Sequence, residues 1–268
     1  MTEQCQELSL LHLAEATALL AGHYLKHKQD NWQNLEKAVG HDVKVSADRM
    51  AEELIVEQLC TGSNIEVFSE ESGRVRDRGA NDDKTELYWV VDPLDGSLNY
   101  HQGMSLCAVS IALYQGWDAI LGVVYDFNHD ELFSGLVGVG AWLNQSPIKP
   151  SDVSEVSSAV LGTGFPVNTD FSSSSLSRFV GQVQRFRKVR LLGSAALSLC
   201  YVACGRLDAY REDNIMFWDV AAGCALVQAA GGEVKMINTS RIDEPARVIA
   251  ANGRLCLSDF ALVTSSLT

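Results

Sequence analysis

Trp89-Val-Val-Asp-Pro-Leu-Asp-Gly-Ser-Leu-Asn99 is the stretch of the 268-residue chain on which the fold turns. With Leu87 and Tyr88 before it, the run Leu87–Val91 reads as a buried strand that ends on Asp92. Pro93 sets the next φ angle and helps turn the chain. Asp95 follows three residues after Asp92, so both carboxylates can converge on one point. Gly96 permits close approach of backbone to a ligand. Ser97 and Asn99 open a short helix whose free N–H groups form an anion site. Carboxylates beside such a site repel an anion unless cations stand between them, and hard oxygen donors suit Mg2+. The same residue types also make ordinary surface turns, so the segment has to be weighed with its partners.

Two partners lie on either side. Glu70-Glu71 closes a short strand, Ile65–Phe68, and Asp219 begins an apolar helix within Phe217-Trp-Asp-Val-Ala-Ala-Gly223. Each has a plain explanation alone: paired glutamates are usually a solvated face, and an aspartate at a helix start is usually an N-cap. Upstream, the spacing predicts helices over 8–26, with Leu10, Leu13, Leu20 and Tyr24 as the stripe, and over 48–59, with Met50, Leu54 and Ile55 inward and Glu52, Glu53 and Glu57 mostly outward. Residues 29–46 read as a polar loop.

Downstream, runs over 108–114, 119–126 and 131–135 predict a meander of antiparallel strands. Composition shifts near Asn144–Pro150, giving an N-terminal α+β half (1–146) and a C-terminal α/β half (147–268) of one compact unit. In the second half, Ser172–Ser175 reads as a loop. Strands are expected over 189–192, 207–211, 233–237 and 248–251. Helices are expected over 194–204, 219–230 and 258–265. The expected fold class is α+β / α/β in layers.

A formal net charge of −13 makes nonspecific nucleic-acid binding improbable. Divalent cations can invert the sign locally, which reconciles an acidic chain with an anionic substrate. Seven cysteines without Cys-x-x-Cys spacing fit a reducing, cytoplasmic setting rather than a disulfide framework. Cys200 and Cys204 are one helical turn apart and read as a buried structural pair. The N-terminus shows no signal-peptide pattern, and no apolar run approaches the ~20 residues of a membrane span.

Taken together, Glu70-Glu71, Asp92-Pro-Leu-Asp-Gly-Ser-Leu-Asn99 and Trp218-Asp-Val-Ala-Ala-Gly223 resemble the inositol monophosphatase family, part of a lithium-sensitive, Mg-dependent sugar-phosphatase superfamily. Gly138–Asn144, Gly162–Pro166 and Leu192–Ala196 add weaker similarity, so the resemblance spans nearly the whole chain. It implies a layered αβαβα sandwich of the inositol monophosphatase / fructose-1,6-bisphosphatase type. It also implies a homodimer, Li+ inhibition and two or three Mg2+ ions per site. The implied metal ligands are Glu71, Asp92, the Leu94 carbonyl, Asp95 and Asp219. Glu71, Asp95 and Ser97 are the implied catalytic residues, with Ser97 and Glu71 orienting the attacking water. Asp95, Gly96, Ser97, Gly193, Ser194 and Glu212 are the implied substrate contacts. Lys37, Asp42 and Asp48 match an N-terminal loop and helix start. Ser69, Ser97 and Lys44-Val45 depart from the family's usual Gly, Thr and Val-Thr.

The substrate implied first is inositol 1-phosphate, because Glu212 can accept hydrogen bonds from ring hydroxyls. Histidinol phosphate is next, since a carboxylate there could pair an ammonium. Fructose 1,6-bisphosphate and 3'-phosphoadenosine 5'-phosphate would need a basic pocket, for which Arg187, Lys188, Arg190 and Arg211 are the candidates. A haloacid-dehalogenase-type phosphatase fits less well, because its paired aspartates are two apart. A partner-binding protein on a phosphatase scaffold is the alternative outside enzymes. Such a chain should have lost a ligand carboxylate.

Overall fold

In the computed structural model, residues 3–34, 42–75, 87–165, 170–237 and 241–260 are described, side chains at 3, 30–46, 74, 75 and 259 excepted. Two helices lead, α1 (Glu3–Asn34) and α2 (Asp42–Gly62). They cover one face of an eight-stranded sheet. Its strands are β1 (Glu66–Ser69), β2 (Gly73–Val75), β3 (Leu87–Asp95), β4 (Ala108–Gln115), β5 (Asp118–Asp126), β6 (Glu131–Leu136), β7 (Gly140–Leu143) and β8 (Ser146–Pro147), with the short helix α3 (Ser97–His101) after β3. The sheet order is β2-β1-β3-β4-β5-β6-β7-β8, with β1 parallel to β3 and every other pair antiparallel. The expected meander is there, extended by β7 and β8.

The second half supplies β9 (Val160–Thr163), α4 (Ser173–Val183), β10 (Lys188–Leu191), α5 (Ala195–Ala203), β11 (Ala209–Ile215), α6 (Phe217–Ala229), β12 (Glu233–Ile237) and β13 (Ala246–Ala251). Its five strands run β10-β9-β11-β13-β12. Helices α5 and α6 are buried between the two sheets. Leu197, Leu199, Val220 and Leu226 there join Val90, Ala112 and Val124 of the first sheet and Tyr210 and Val248 of the second in one core. A second core lies between α1, α2 and the first sheet. A third covers the far face of the second sheet, where Phe186, just after α4, meets Phe260 of the turn Leu257–Phe260. The layers therefore run helices, sheet, helices, sheet, helix and turn.

Several boundaries differ from the sequence expectation. Helix α1 continues to Asn34 where a loop was expected from 29. Gln29 is buried there because its amide donates to the Tyr100 carbonyl at 3.1 Å, so a polar residue occupies an inward position. The inward stripe of α1 is Leu11, Ala14, Ala18, Ala21 and Leu25, while Leu20 is exposed at 44%. The small residues let the helix lie close to the sheet. On α2 the inward residues are Ala47, Ala51, Ile55 and Leu59. Met50 faces solvent, and Glu52, expected outside, is only 3% exposed. The serine run is a helix start rather than a loop: Ser172 Oγ accepts from Ser175 N–H and caps α4. The last expected helix is a 3-10 turn over 257–260, and 261–265 lie outside the described residues. Lys37 also lies outside them, and the side chains of Asp42, Lys44 and Val45 are among those not described.

Candidate active site

The site begins with an irregularity in β3. Asp92 pairs with Ser110 and Asp95 with Ala108, so three steps on β3 oppose two on β4. One residue is extra, a β-bulge. In a regular strand, residues three apart point to opposite faces. The bulge at Pro93-Leu94 removes that offset, and Pro93 suits it because it has no N–H to lose from the ladder. The Leu94 N–H turns back to Asp92 Oδ1 at 3.0 Å. Gly96 then adopts φ 79°, where a Cβ would meet the Leu106 carbonyl at 2.8 Å, so only glycine fits before α3.

Three carboxylates meet here. Glu70, Asp92 and Asp219 each place one oxygen within 4.8 Å of the others. Asp92 is 1% exposed. Burial raises its pKa well above the carboxylate range, and the charges of Glu70, Asp95 and Asp219 add to the rise. Asp219 is raised well above that range too, first by burial and then by Asp95 and Glu70. Glu70 is the most exposed of the three, and its pKa is raised by desolvation of its carboxyl with the charges of Glu71, Asp95 and Glu52 adding. Asp219 sits in the first turn of α6, where its Oδ2 accepts the Met216 N–H at 3.3 Å. The helix thus starts two residues before the expected position, and Trp218 packs on Phe68 of β1.

The glutamate in this cluster is Glu70. Glu71, the ligand expected from the family resemblance, lies outside the three-carboxylate group; both glutamates are exposed. Both follow β1 in the turn before β2, and there the Glu70 N–H donates to the Val91 carbonyl at 3.2 Å, which holds Glu70 beside the strand that carries Asp92.

Asp95 is buried beside the cluster but bound elsewhere. The Ser194 hydroxyl donates to its Oδ2, Ala195 N–H to Oδ1 at 3.2 Å, and Ala196 N–H to Oδ2 at 3.1 Å. Burial brings its pKa up to about 6 against those bonds. Ser194 is also the N-cap of α5, accepting from Leu197 N–H at 3.2 Å. Its hydroxyl is therefore engaged within the protein. Gly193 precedes it with φ 72°, and Asn99 Nδ2 donates to the carbonyls of Leu106 (2.7 Å) and Leu192 (2.8 Å) and, at 3.3 Å, of Gly193. Asn99 thus ties α3 to the second half of the chain. Ser97 is the half-buried first residue of α3.

Glu212 comes from β11, 8% exposed, with its Oε2 accepting from the Tyr210 hydroxyl at 2.8 Å. Burial raises its pKa to about 7, with Asp95 and Asp213 contributing. A Cβ at Gly164 would lie 2.4 Å from that carboxylate, so the strand end after β9 is kept bare for it. A cleft of about 340 Å³ opens beside it, lined by Thr163, Phe165, Phe179 and Arg211 among others. Arg211 is buried and committed to its own chain, donating to the Phe260 carbonyl and pairing with Asp213 at 3.2 Å. Arg187, Lys188 and Arg190 are exposed.

The carboxylate cluster, with Asp92 buried, Asp219 half-buried and Glu70 exposed, thus lies at a bulged strand and the starts of α3 and α6. The inositol monophosphatase family profile matches residues 6–262. The chain belongs to the inositol monophosphatase family. Its members are phosphatases, and this one is a phosphoric monoester hydrolase. It is 34% identical over 230 residues to the Nus factor SuhB of Pasteurella multocida, covering 84% of each chain. The inositol monophosphatase structure from Anabaena (Nostoc) sp. PCC 7120 is similar with TM-score 0.78 and 34% identity, covering 92% of each chain. The inositol monophosphate-bound SaIMPase-II structure is similar with TM-score 0.76 and 28% identity, covering 94% of this chain and 92% of that one. Among the described residues no helix is long and apolar enough to cross a membrane.

Proposed function

We propose that this family member is a Mg2+-dependent phosphatase of a small phosphate monoester, with inositol 1-phosphate as first substrate. The observation that carries the metal is the meeting of Glu70, Asp92 and Asp219 within 4.8 Å. These donors fit the ion. They are hard oxygens, and their mutual repulsion and burial are relieved by a cation. Asp95 and the Leu94 carbonyl complete the proposed set. The role expected of Glu71 passes to Glu70. A bound Mg2+ would supply a water of lowered pKa and offset the negative charge of the phosphoryl oxygens.

The chain's own groups do the rest. The N–H groups of Gly96 and Ser97 bind phosphate oxygens, and the Ser97 hydroxyl orients the attacking water. Asp95, held by the start of α5, would serve both the cation and the alcohol. Gly193, Ser194 and Glu212 border the alcohol. Glu212 accepts from a hydroxyl of the leaving group, and Tyr210 fixes its direction. The internal bonding of Arg211 supports a monophosphate over a bisphosphate such as fructose 1,6-bisphosphate or 3'-phosphoadenosine 5'-phosphate. Inositol monophosphate bound to a similar structure supports the same choice. Histidinol phosphate remains the competitor. The reading includes a cytoplasmic setting and a homodimer, and light scattering would measure the mass of the latter directly.

The test is phosphate release from these four compounds, with Mg2+ and then with EDTA. Mg2+-dependent release that favours inositol 1-phosphate is expected, with Li+ inhibiting it. Release that is unaffected by EDTA would remove the metal from the scheme. The SuhB relative, described as a Nus factor, favours a second reading in which the scaffold serves partner binding. Folded, Mg2+-saturated protein that releases phosphate from none of the four would favour it.

A further inference from the structure

The glutamate turn is held from outside the carboxylate cluster. Glu52 lies on α2, 3% exposed, and both its oxygens are used by one residue. Ser72 N–H donates to Oε1 at 3.0 Å and Ser72 Oγ to Oε2 at 2.6 Å. Ser72 stands two residues after Glu70, in the turn between β1 and β2. On the other side of that turn, Glu70 N–H donates to the carbonyl of Val91, the residue before Asp92. The turn therefore hangs between two anchors, the strand that carries Asp92 and a buried carboxylate on α2.

A buried carboxylate is costly unless it is bonded, and among the described residues no cation pairs with Glu52. An apolar residue would fill the same place on α2 at less cost. What Glu52 adds is a two-point grip on the Glu70 turn. We propose that Glu52 is a positioning residue for Glu70: through Ser72 it couples α2 to the carboxylate cluster and sets the cluster's affinity for a divalent cation. The inference rests on the metal site proposed above. Groups that orient metal ligands are commonly worth about 10- to 100-fold in metal affinity.

The experiment is calorimetric titration of the substrate-free protein with Mg2+, with unfolding curves of the same samples in EDTA. Wild type, Glu52→Leu, Glu52→Gln, Ser72→Ala and Asp92→Asn are compared. Glu52→Leu is expected to bind Mg2+ about 10- to 100-fold more weakly while its stability in EDTA is equal or higher. Ser72→Ala keeps the charge of Glu52 and loses one of the two bonds, so a loss of about 3- to 10-fold is expected. At saturating Mg2+, substrate KM should stay near the wild-type value. Should Glu52→Leu not fold, Ser72→Ala decides alone.

Ser72→Ala binding Mg2+ like wild type overturns positioning. If Glu52→Gln is then still weak, the effect is one of charge and not of grip. If wild type and Asp92→Asn bind Mg2+ equally, the metal site itself fails and this inference with it. If they differ while the Glu52 and Ser72 variants match wild type, only this inference falls.

Discussion

Glu212→Gln measures what the fold spends to hold a carboxylate beside the alcohol. Burial moves the Glu212 pKa from an ordinary 4.5 to about 7. At about 1.4 kcal/mol per unit, holding it ionised costs about 3 kcal/mol. The folded pKa lies above the unfolded one, so the folded state binds the extra proton between them. The protein thus suffers no penalty from Glu212 below about pH 4.5, and loses stability as pH rises from there through about 7. Glutamine stays neutral throughout and still offers Oε1 to the Tyr210 hydroxyl. The stability of Glu212→Gln minus wild type, from urea unfolding in EDTA at pH 5 to 8, should therefore grow with pH toward about 3 kcal/mol. The other raised carboxylates are present in both proteins and largely cancel in the difference. A difference that does not change with pH would refute the reasoning, because a raised pKa and a flat profile are thermodynamically incompatible. The same variant should weaken substrate binding by losing a charged acceptor for a hydroxyl, by about 10-fold in KM.

Asp92→Asn should abolish turnover yet raise stability in EDTA by about 1–3 kcal/mol, since it removes a buried, repelled charge; melting curves with and without Mg2+ check both the gain and the loss of Mg2+-induced stabilisation. Glu70→Gln should lower Mg2+ affinity by about 10-fold or more, while Glu71→Gln, outside the cluster, changes it by less than about 3-fold in the same titration. Asn99→Ala leaves the Leu106 and Leu192 carbonyls short of a donor and should cost about 2 kcal/mol in chemical denaturation; a change within 0.5 kcal/mol, the usual range for a surface site, would show that the tie between α3 and the second half is dispensable.

The elements legible in the sequence are those whose apolar runs are bounded by turn residues. Leu87–Val91, the meander and the helix after Trp218 are of this kind. What the sequence concealed follows from burial of polar groups and from bonds made in turns and bulges. Gln29 and Glu52 look like solvent residues, and each is inside because a specific partner, the Tyr100 carbonyl or Ser72, satisfies it. Leu20 and Met50 look like core, and the close approach of Ala14, Ala18 and Ala51 to the sheet leaves them outside. In α1 and α2, small residues rather than large ones mark the inward face. The choice between Glu70 and Glu71 is made in the turn after β1, by the Glu70 N–H bond to the Val91 carbonyl, which no sequence pattern displays. Asp92 and Asp95 were expected to converge on one point; Asp92 joins the cluster while Asp95 is bonded to the start of α5, and the extra residue at Pro93-Leu94 that brings them near becomes visible only in the register with β4.

The chain's acidity now has a local meaning. Asp92 comes from the first sheet and Asp219 from the helix layer of the second half, and burial works against both being charged. In the absence of cations, burial and mutual repulsion favour protonation of these carboxyls. Asn99, reaching the Leu192 carbonyl, and Ser194, reaching Asp95, add polar bonds across a junction whose main tie is the apolar core shared by both sheets. A cation placed among Glu70, Asp92 and Asp219 would turn the same repulsion into attraction between elements from both halves. Metal binding and the fit of the two halves should therefore rise and fall together, which is why stability in EDTA and in Mg2+, rather than activity alone, is the quantity that separates a ligand of the metal from a residue that merely lies near it.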